Sequence, residues 1–186
     1  MLRLPSFTGC LKTGVFLSLN FLLVSMVTAQ AASHSSISAQ DVNGKLVALN
    51  GPGHYTVVLY TNPDLEDATR KVTHVLDPYR SRSDIAFVRV LDLRGGVPPD
   101  MRGIVKTEIR RQQAKEDQRL KKEGVASGDK APIIPDFNGS TLDALGWDSI
   151  YDEVHLVIYD PHGNEVKRLE KANDPRQVAK LVEGIM

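Results

Sequence analysis

Two apolar, β-branched runs constrain this chain most. Tyr55-Thr-Val-Val-Leu-Tyr60 and Ile85-Ala-Phe-Val-Arg-Val-Leu-Asp-Leu93 lack the strict alternation of a strand with one wet face, so each reads as a strand buried on both sides. Between them, Asn62 is placed to cap a helix whose first position is Pro63. Val72, Val75, Leu76 and Tyr79 keep helical spacing until Pro78 and the loop Arg80–Ser83 end it. Consecutive strands joined by a helix pair in parallel through a right-handed crossover, which commits the domain to an α/β architecture.

The flanks extend this unit. Ile37–Leu49 reads as two short extended pieces turning at Asn43-Gly44, and Gly51-Pro-Gly53 as a loop. Gly95-Gly96 and Pro98-Pro99 break the chain before a helix over Met101–Glu123. Met101, Ile104, Val105 and Ile109 give that helix an apolar stripe that fades into Arg110–Arg119, where Ala114 is the only apolar residue, so its first half is expected to pack and its second half to be solvated. Gly124–Asn138 reads as loop, and Ser140 with Asp143 as a capping box for a short helix ending at Gly146. Val154–Asp160 and Glu165–Leu169 flank Pro161-His-Gly-Asn164 as a β-hairpin. Asp174, Pro175 and Gln177 open a final helix carrying Val178, Leu181, Val182 and Ile185.

The N-terminus has a different character. Arg3 and Lys12 without acidic residues, the apolar run Val15–Val27 and then Ala29-Gln-Ala31 follow the charged, apolar, small-residue order of a secretory signal. Cleavage is expected after Ala31, with an uncleaved anchor as the alternative, although the run is shorter than the roughly 18 residues a spanning helix needs. Residues 1–31 are therefore assigned to the signal and 32–186 to one domain, periplasmic or secreted. The single cysteine, Cys10, lies in the signal, ahead of the apolar run rather than at the cleavage site. The exported chain would thus be free of thiols and disulfides. It keeps 21 basic against 23 acidic residues, which gives no global footprint for nucleic acid, and its few aromatic residues are not interleaved with the basic ones.

The order of entrance hairpin, β, α, β, connecting helices, β-hairpin and terminal helix resembles the thioredoxin-like superfamily. Asp41-Val-Asn-Gly-Lys45 followed by the Tyr55–Tyr60 strand is similar to its redoxin and peroxiredoxin branch. The resemblance covers roughly residues 37–95 and 150–186. It implies a three-layer α/β sandwich, a central mixed sheet with helices on both faces, carrying here a helical insertion at about 96–150. In that superfamily the reactive cysteine sits between the central strand and its helix. The matching segment here is Thr61-Asn-Pro-Asp-Leu-Glu-Asp67, with Asp64 where the peroxidatic pattern has cysteine and no Cys-x-x-Cys anywhere. The cis-proline that the superfamily places before the hairpin's first strand is also missing from Asp152–His155. Thiol-disulfide exchange and peroxidase chemistry are not expected. Asp64, Glu66 and Asp67 already put carboxylates on the first helical turn, where they favour the helix and oppose a thiolate or phosphate.

Other chemistry finds few anchors. If the superposition holds, His155 opens a strand facing this slot, and Thr61, Asp64 and His155 are the weak catalytic candidates for acid–base work. His34, His54, His74, His155 and His162 have no short ligand spacing, so neither a metal nor another cofactor is expected. Asp160–Glu165 reads as a turn rather than a calcium loop, and Asn138-Gly-Ser140 is a glycosylation acceptor only in a eukaryotic source. No nucleophile elbow, Walker-type loop or His-Glu-x-x-His is present. The basic run of the Met101–Glu123 helix, with Arg110, Arg111, Lys115 and Arg119, is the binding candidate, either an ordinary solvated face or a surface for an acidic protein partner or anionic membrane. The reading is an exported, redox-inactive thioredoxin-like binding module. The alternative is an enzyme or antioxidant-related protein of the redoxin type using non-cysteine polar residues.

Overall fold

The structure is a computed structural model that describes residues 36–125, 131–149 and 152–185. The signal segment lies outside the described residues. Strand β1 (Ser38–Gln40) pairs antiparallel with β2 (Leu46–Ala48), and the turn between them is held by Asp41 Oδ1, which accepts from the Asn43 and Lys45 amides at 2.8 Å each. The central sheet has five strands: β3 (Tyr55–Thr61), β4 (Ile85–Asp92), β5 (Ile133–Asp136), β6 (His155–Tyr159) and β7 (Glu165–Leu169). Their spatial order is β5-β4-β3-β6-β7. β3 runs parallel to β4 and β4 parallel to β5, whereas β6 is antiparallel to both β3 and β7. The sheet is therefore mixed, and its middle strands β3 and β6 are buried on both faces, as their unbroken apolar character requires.

Helix α1 (Glu66–Leu76) makes the crossover from β3 to β4. It packs on one sheet face with α4 (Pro175–Glu183), where Val72, Leu76, Val178 and Val182 meet Val57, Leu59, Leu156 and Ile158. The opposite face, Val58, Tyr60, Val90, Val157 and Tyr159, is covered by α3 (Ser140–Ala144), Leu145, Trp147 and the entrance hairpin. Each of these fully buried side chains contributes about 1.5–3 kcal/mol of burial, so both layers are substantial. At the β6–β7 turn Gly163 has φ +84°, and a Cβ there would stand 2.6 Å from the Asn50 carbonyl oxygen, so glycine is required twice over.

Three local expectations are corrected. The expected loop Gly124–Asn138 contains β5, which adds to the sheet edge; Pro135 lacks a donor and is tolerated because an edge strand leaves one side unpaired. The capping box Ser140/Asp143 does not form. Gly139 occupies the N-cap without a side-chain bond, and Asp136 supplies the acceptors instead, Oδ1 to the Gly139 amide at 2.9 Å and Oδ2 to the Thr141 and Leu142 amides at 3.0 Å. The long helix α2 spans Arg102–Lys122 after a 3-10 turn at Pro99–Met101. Its stripe is broken, since Ile104 is 65% and Met101 44% exposed while Ile109 is buried. Its second half is not free, because Leu120 is 1% exposed and Arg119 reaches Asp77.

Candidate functional site at the carboxyl ends of the parallel strands

β3 and β4 end side by side, and their chains then diverge, β3 into α1 and β4 toward α2. Open α/β sheets bind ligands in the crevice formed at such a divergence. Here it is a cleft of about 660 Å³ lined by Asn62, Pro63, Asp64, Asp92, Leu93, Arg94, Gly95, Gly96, Val97, Asp148 and Ser149.

Its floor is the start of α1. Asn62 Oδ1 accepts from the Leu65 amide at 3.1 Å, and Pro63 at the first position has no amide to satisfy. A 3-10 turn over Pro63–Leu65 leads directly into α1. The first turns carry Asp64, Glu66 and Asp67. The positive end of the helix is thus occupied by the chain's own acceptors. On the opposite wall, Asp92 holds Arg94 through both oxygens, with Nε at 3.0 and 3.2 Å and Nη2 at 2.8 Å. Hydrogen bonding to Asp92 raises the Arg94 pKa further. The Arg94 side chain lies over Gly139, where a Cβ would come within 2.7 Å of its Cδ, and so ties the cleft wall to the start of α3.

The three catalytic candidates are not brought together. Thr61 is buried and its Oγ1 lies 2.5 Å from Thr69 Oγ1, which fastens the end of β3 to α1. Asp64 is exposed at the cleft. His155 pairs in register with Tyr60, one residue before Thr61, and successive strand residues face opposite sides of the sheet. It therefore belongs to the other face, edge-on to Trp147 at 5.0 Å, while Trp147 is edge-on to Tyr60 at 5.7 Å. Burial lowers the imidazole pKa, and the Nδ1 atom is buried with no partner among the described residues. Its environment is that of a packed neutral ring. Among the described residues no histidine is hydrogen-bonded to a serine, threonine or lysine, so no base-activated nucleophile is assembled.

The basic residues of α2 have separate fates. Arg110 Nε donates to the Val42 carbonyl at 3.3 Å, and Arg111 pairs with Glu108 at 2.8 Å. Lys115 is exposed and makes no ion pair among the described residues. Arg119 bonds Asp77 at 2.9 Å, Glu116 at 2.8 and 3.0 Å, and Glu123 at 2.6 Å, which raises its pKa strongly. Sequence reasoning missed Asp92, Arg94 and Asp148 as cleft residues. The break at Gly95-Gly96 directly after a buried strand was the available signal.

Comparison with known proteins supports the fold. No protein-family model and no curated protein sequence matches the chain. Solved structures do match. A secreted disulfide oxidoreductase of Mycobacterium tuberculosis homologous to E. coli DsbE superposes with a TM-score of 0.52 at 11% identity, covering 80% of this chain and 96% of its own. A DsbF homologue from Corynebacterium diphtheriae gives 0.53 at 12% identity, covering 80% and 83%. A thioredoxin-like protein from Aeropyrum pernix gives 0.53 at 14% identity, covering 80% and 89%. With its strand order, its parallel α1 crossover and these superpositions, the chain has the thioredoxin-like fold, a central mixed sheet with helices on both faces and an insertion carrying α2, β5 and α3.

Proposed function

We propose that this protein is an exported, redox-inactive thioredoxin-like domain that serves as a binding or interaction module of the cell envelope. The observation that carries the reading is the occupancy of the strand–helix junction. Asn62-Pro63-Asp64-Leu65 stands where thioredoxin-like oxidoreductases place their cysteines, Asn62 uses its side chain to cap the helix, and Cys10 is the only thiol in the sequence. A thiolate needs an electropositive site, and this one has Asp64 and Asp148 on the cleft and Glu66 and Asp67 on the first turn of α1, while Arg94 is paired with Asp92. Two surfaces are available to a partner, the polar cleft at the carboxyl ends of β3 and β4, and the exposed residues Arg110, Arg111 and Lys115 of α2, whose charge suits an acidic protein or an anionic membrane surface. Thr61 and His155 lie on opposite sheet faces, so an enzyme of this fold would have to rest on other polar groups.

The test is catalytic. The purified protein beginning at Ala32 is expected to reduce insulin disulfides and consume peroxide no faster than a heat-treated control. Turnover well above that control refutes the reading.

A further inference from the structure

Arg102 and Lys106 stand one turn apart at the start of α2 and so share a face of that helix. Both reach the same aromatic ring. The Arg102 guanidinium lies 5.0 Å and the Lys106 Nζ 5.9 Å from the centroid of Phe137, the residue after β5. Phe137 is itself fixed by packing against the cluster of Val42, Leu93, Ile109 and Ile133. The two cations form one wall of a cavity of about 370 Å³, whose other walls are β1, β5 and α3 and which shares no residue with the cleft. That volume lies within the roughly 300–1,000 Å³ of small-ligand pockets.

Nothing in the cavity neutralises this wall. Among the described residues neither Arg102 nor Lys106 makes an ion pair or a hydrogen bond, and the Arg102 Nε atom is buried without a partner. Asp136 is the one carboxylate among the described lining residues, and it is 2% exposed. Its oxygens are spent on the Gly139, Thr141 and Leu142 amides and the Tyr60 hydroxyl. The remaining polar lining is neutral. Asn138 Oδ1 accepts from the Ser140 hydroxyl at 2.8 Å and the Ser140 amide at 3.2 Å, which leaves the Asn138 side-chain nitrogen as a donor. Ser38 and Gln40 of β1 add a hydroxyl and an amide. Two like charges one helical turn apart repel, and the shared ring holds them together.

We infer that Arg102 and Lys106 form a binding site for a phosphoryl group, free phosphate or a small phosphate monoester. Two positive charges set side by side match a dianion, the guanidinium fork and the ammonium point charge both suit phosphate oxygens, and the neutral donors opposite take the rest. Stacking on Phe137 fixes both cations before the anion arrives, which lowers the ordering cost of binding. The site includes neither the cleft nor Arg110, Arg111 and Lys115, so it stands or falls separately from the proposed binding role.

The experiment titrates inorganic phosphate, glycerol 3-phosphate and acetate into the nitrogen-15-labelled protein beginning at Ala32, at pH 7.5 and fixed ionic strength with sodium chloride as the balance. The amides of Ser38, Lys106, Phe137 and Asn138 are expected to shift saturably with both phosphates and much less with acetate, a readout needing no variant. A tighter response to glycerol 3-phosphate assigns the cavity to organic monoesters and an equal one to free phosphate; both support the site. Arg102→Gln and Lys106→Gln, which remove one charge each at nearly constant size, should each weaken phosphate binding at least about tenfold. Arg102→Lys, with the charge kept and the fork lost, should fall between. Lys122→Gln removes the same charge from an exposed position of α2 outside the cavity and should change binding less than about twofold. No saturable shift in the unmodified protein, an equal response to acetate, or a loss in Lys122→Gln as large as in Arg102→Gln overturns the assignment.

Discussion

Asp136 decides more of this structure than any residue in the cleft. It is 2% exposed, and its two oxygens accept from three backbone amides at the start of α3 and from the Tyr60 hydroxyl at 2.9 Å. Burial and the adjacent Asp136 charge push the Tyr60 pKa far up, so the phenol stays a donor. Removing the carboxylate would leave four buried donors unmet. Asp136→Ala is therefore expected to cost about 3–5 kcal/mol in urea unfolding, whereas Tyr60→Phe, which leaves Asp136 its amide donors, should cost about 1 kcal/mol. His155 contributes in the opposite sense. Its pKa is lowered from 6.5 by burial, so the unfolded chain binds more protons below that value, and stability falls as pH drops beneath about 6.5. Between pH 7.5 and 5.0 the wild type should lose more stability than His155→Phe, which keeps an aromatic ring against Trp147 and has nothing to titrate; parallel losses would show that His155 is not the source.

Among the elements, α2 departs furthest from its sequence. An amphipathic stripe announces a packed helix, and the stripe here fades at Arg110; the first half packs through Val105 and Ile109, yet the second half is docked as well. Arg119 bridges α2 to Asp77, at the end of α1, and Leu120 is buried beside it. A long-range pair 42 residues apart leaves no mark on local periodicity. The same holds for β5, whose four residues include Pro135 and gain their strand character from the β4 edge, and for α3, capped from β5 rather than from its own first turn. By contrast β3, α1, β4, the β6–β7 hairpin and α4 were legible, since each carries its own period, caps or turn residues. In the cleft, the Asn62 cap was readable, whereas the Asp92–Arg94 clasp came only from the way the strands end. Arg119→Glu is thus expected to destabilise the fold by about 2–3 kcal/mol, because Asp77 would lose a partner and face a like charge. Arg111→Glu with Lys115→Glu, both exposed, should leave the thermal midpoint unchanged within about 0.5 kcal/mol and weaken binding to anionic vesicles at low salt. Equal destabilisation by the two sets would mean that Arg119 is no staple; vesicle binding untouched by the double reversal would make α2 an ordinary solvated face.

The whole molecule holds together without the covalent device that an oxidising compartment allows. Two apolar layers sandwich the sheet, the first strand among the described residues begins at Ser38, and no cysteine follows Cys10. A domain of this length buries enough surface to fold without staples. The amphipathic helices α1 and α4 close one face, and α3, Trp147 and the entrance hairpin close the other. Export would then impose a simple requirement, that the fold be indifferent to redox potential. A chain beginning at Ala32 should unfold at the same denaturant midpoint with and without excess reductant, whereas a domain stabilised by a disulfide would lose about 2–4 kcal/mol on reduction. The natural protein recovered from the cell envelope should have the mass of a chain beginning near Ala32 and remain unreactive toward a thiol probe. Recovery from the cytoplasm with residues 1–31 attached and Cys10 labelled would refute export, and with it the reason for a thiol-free thioredoxin-like domain.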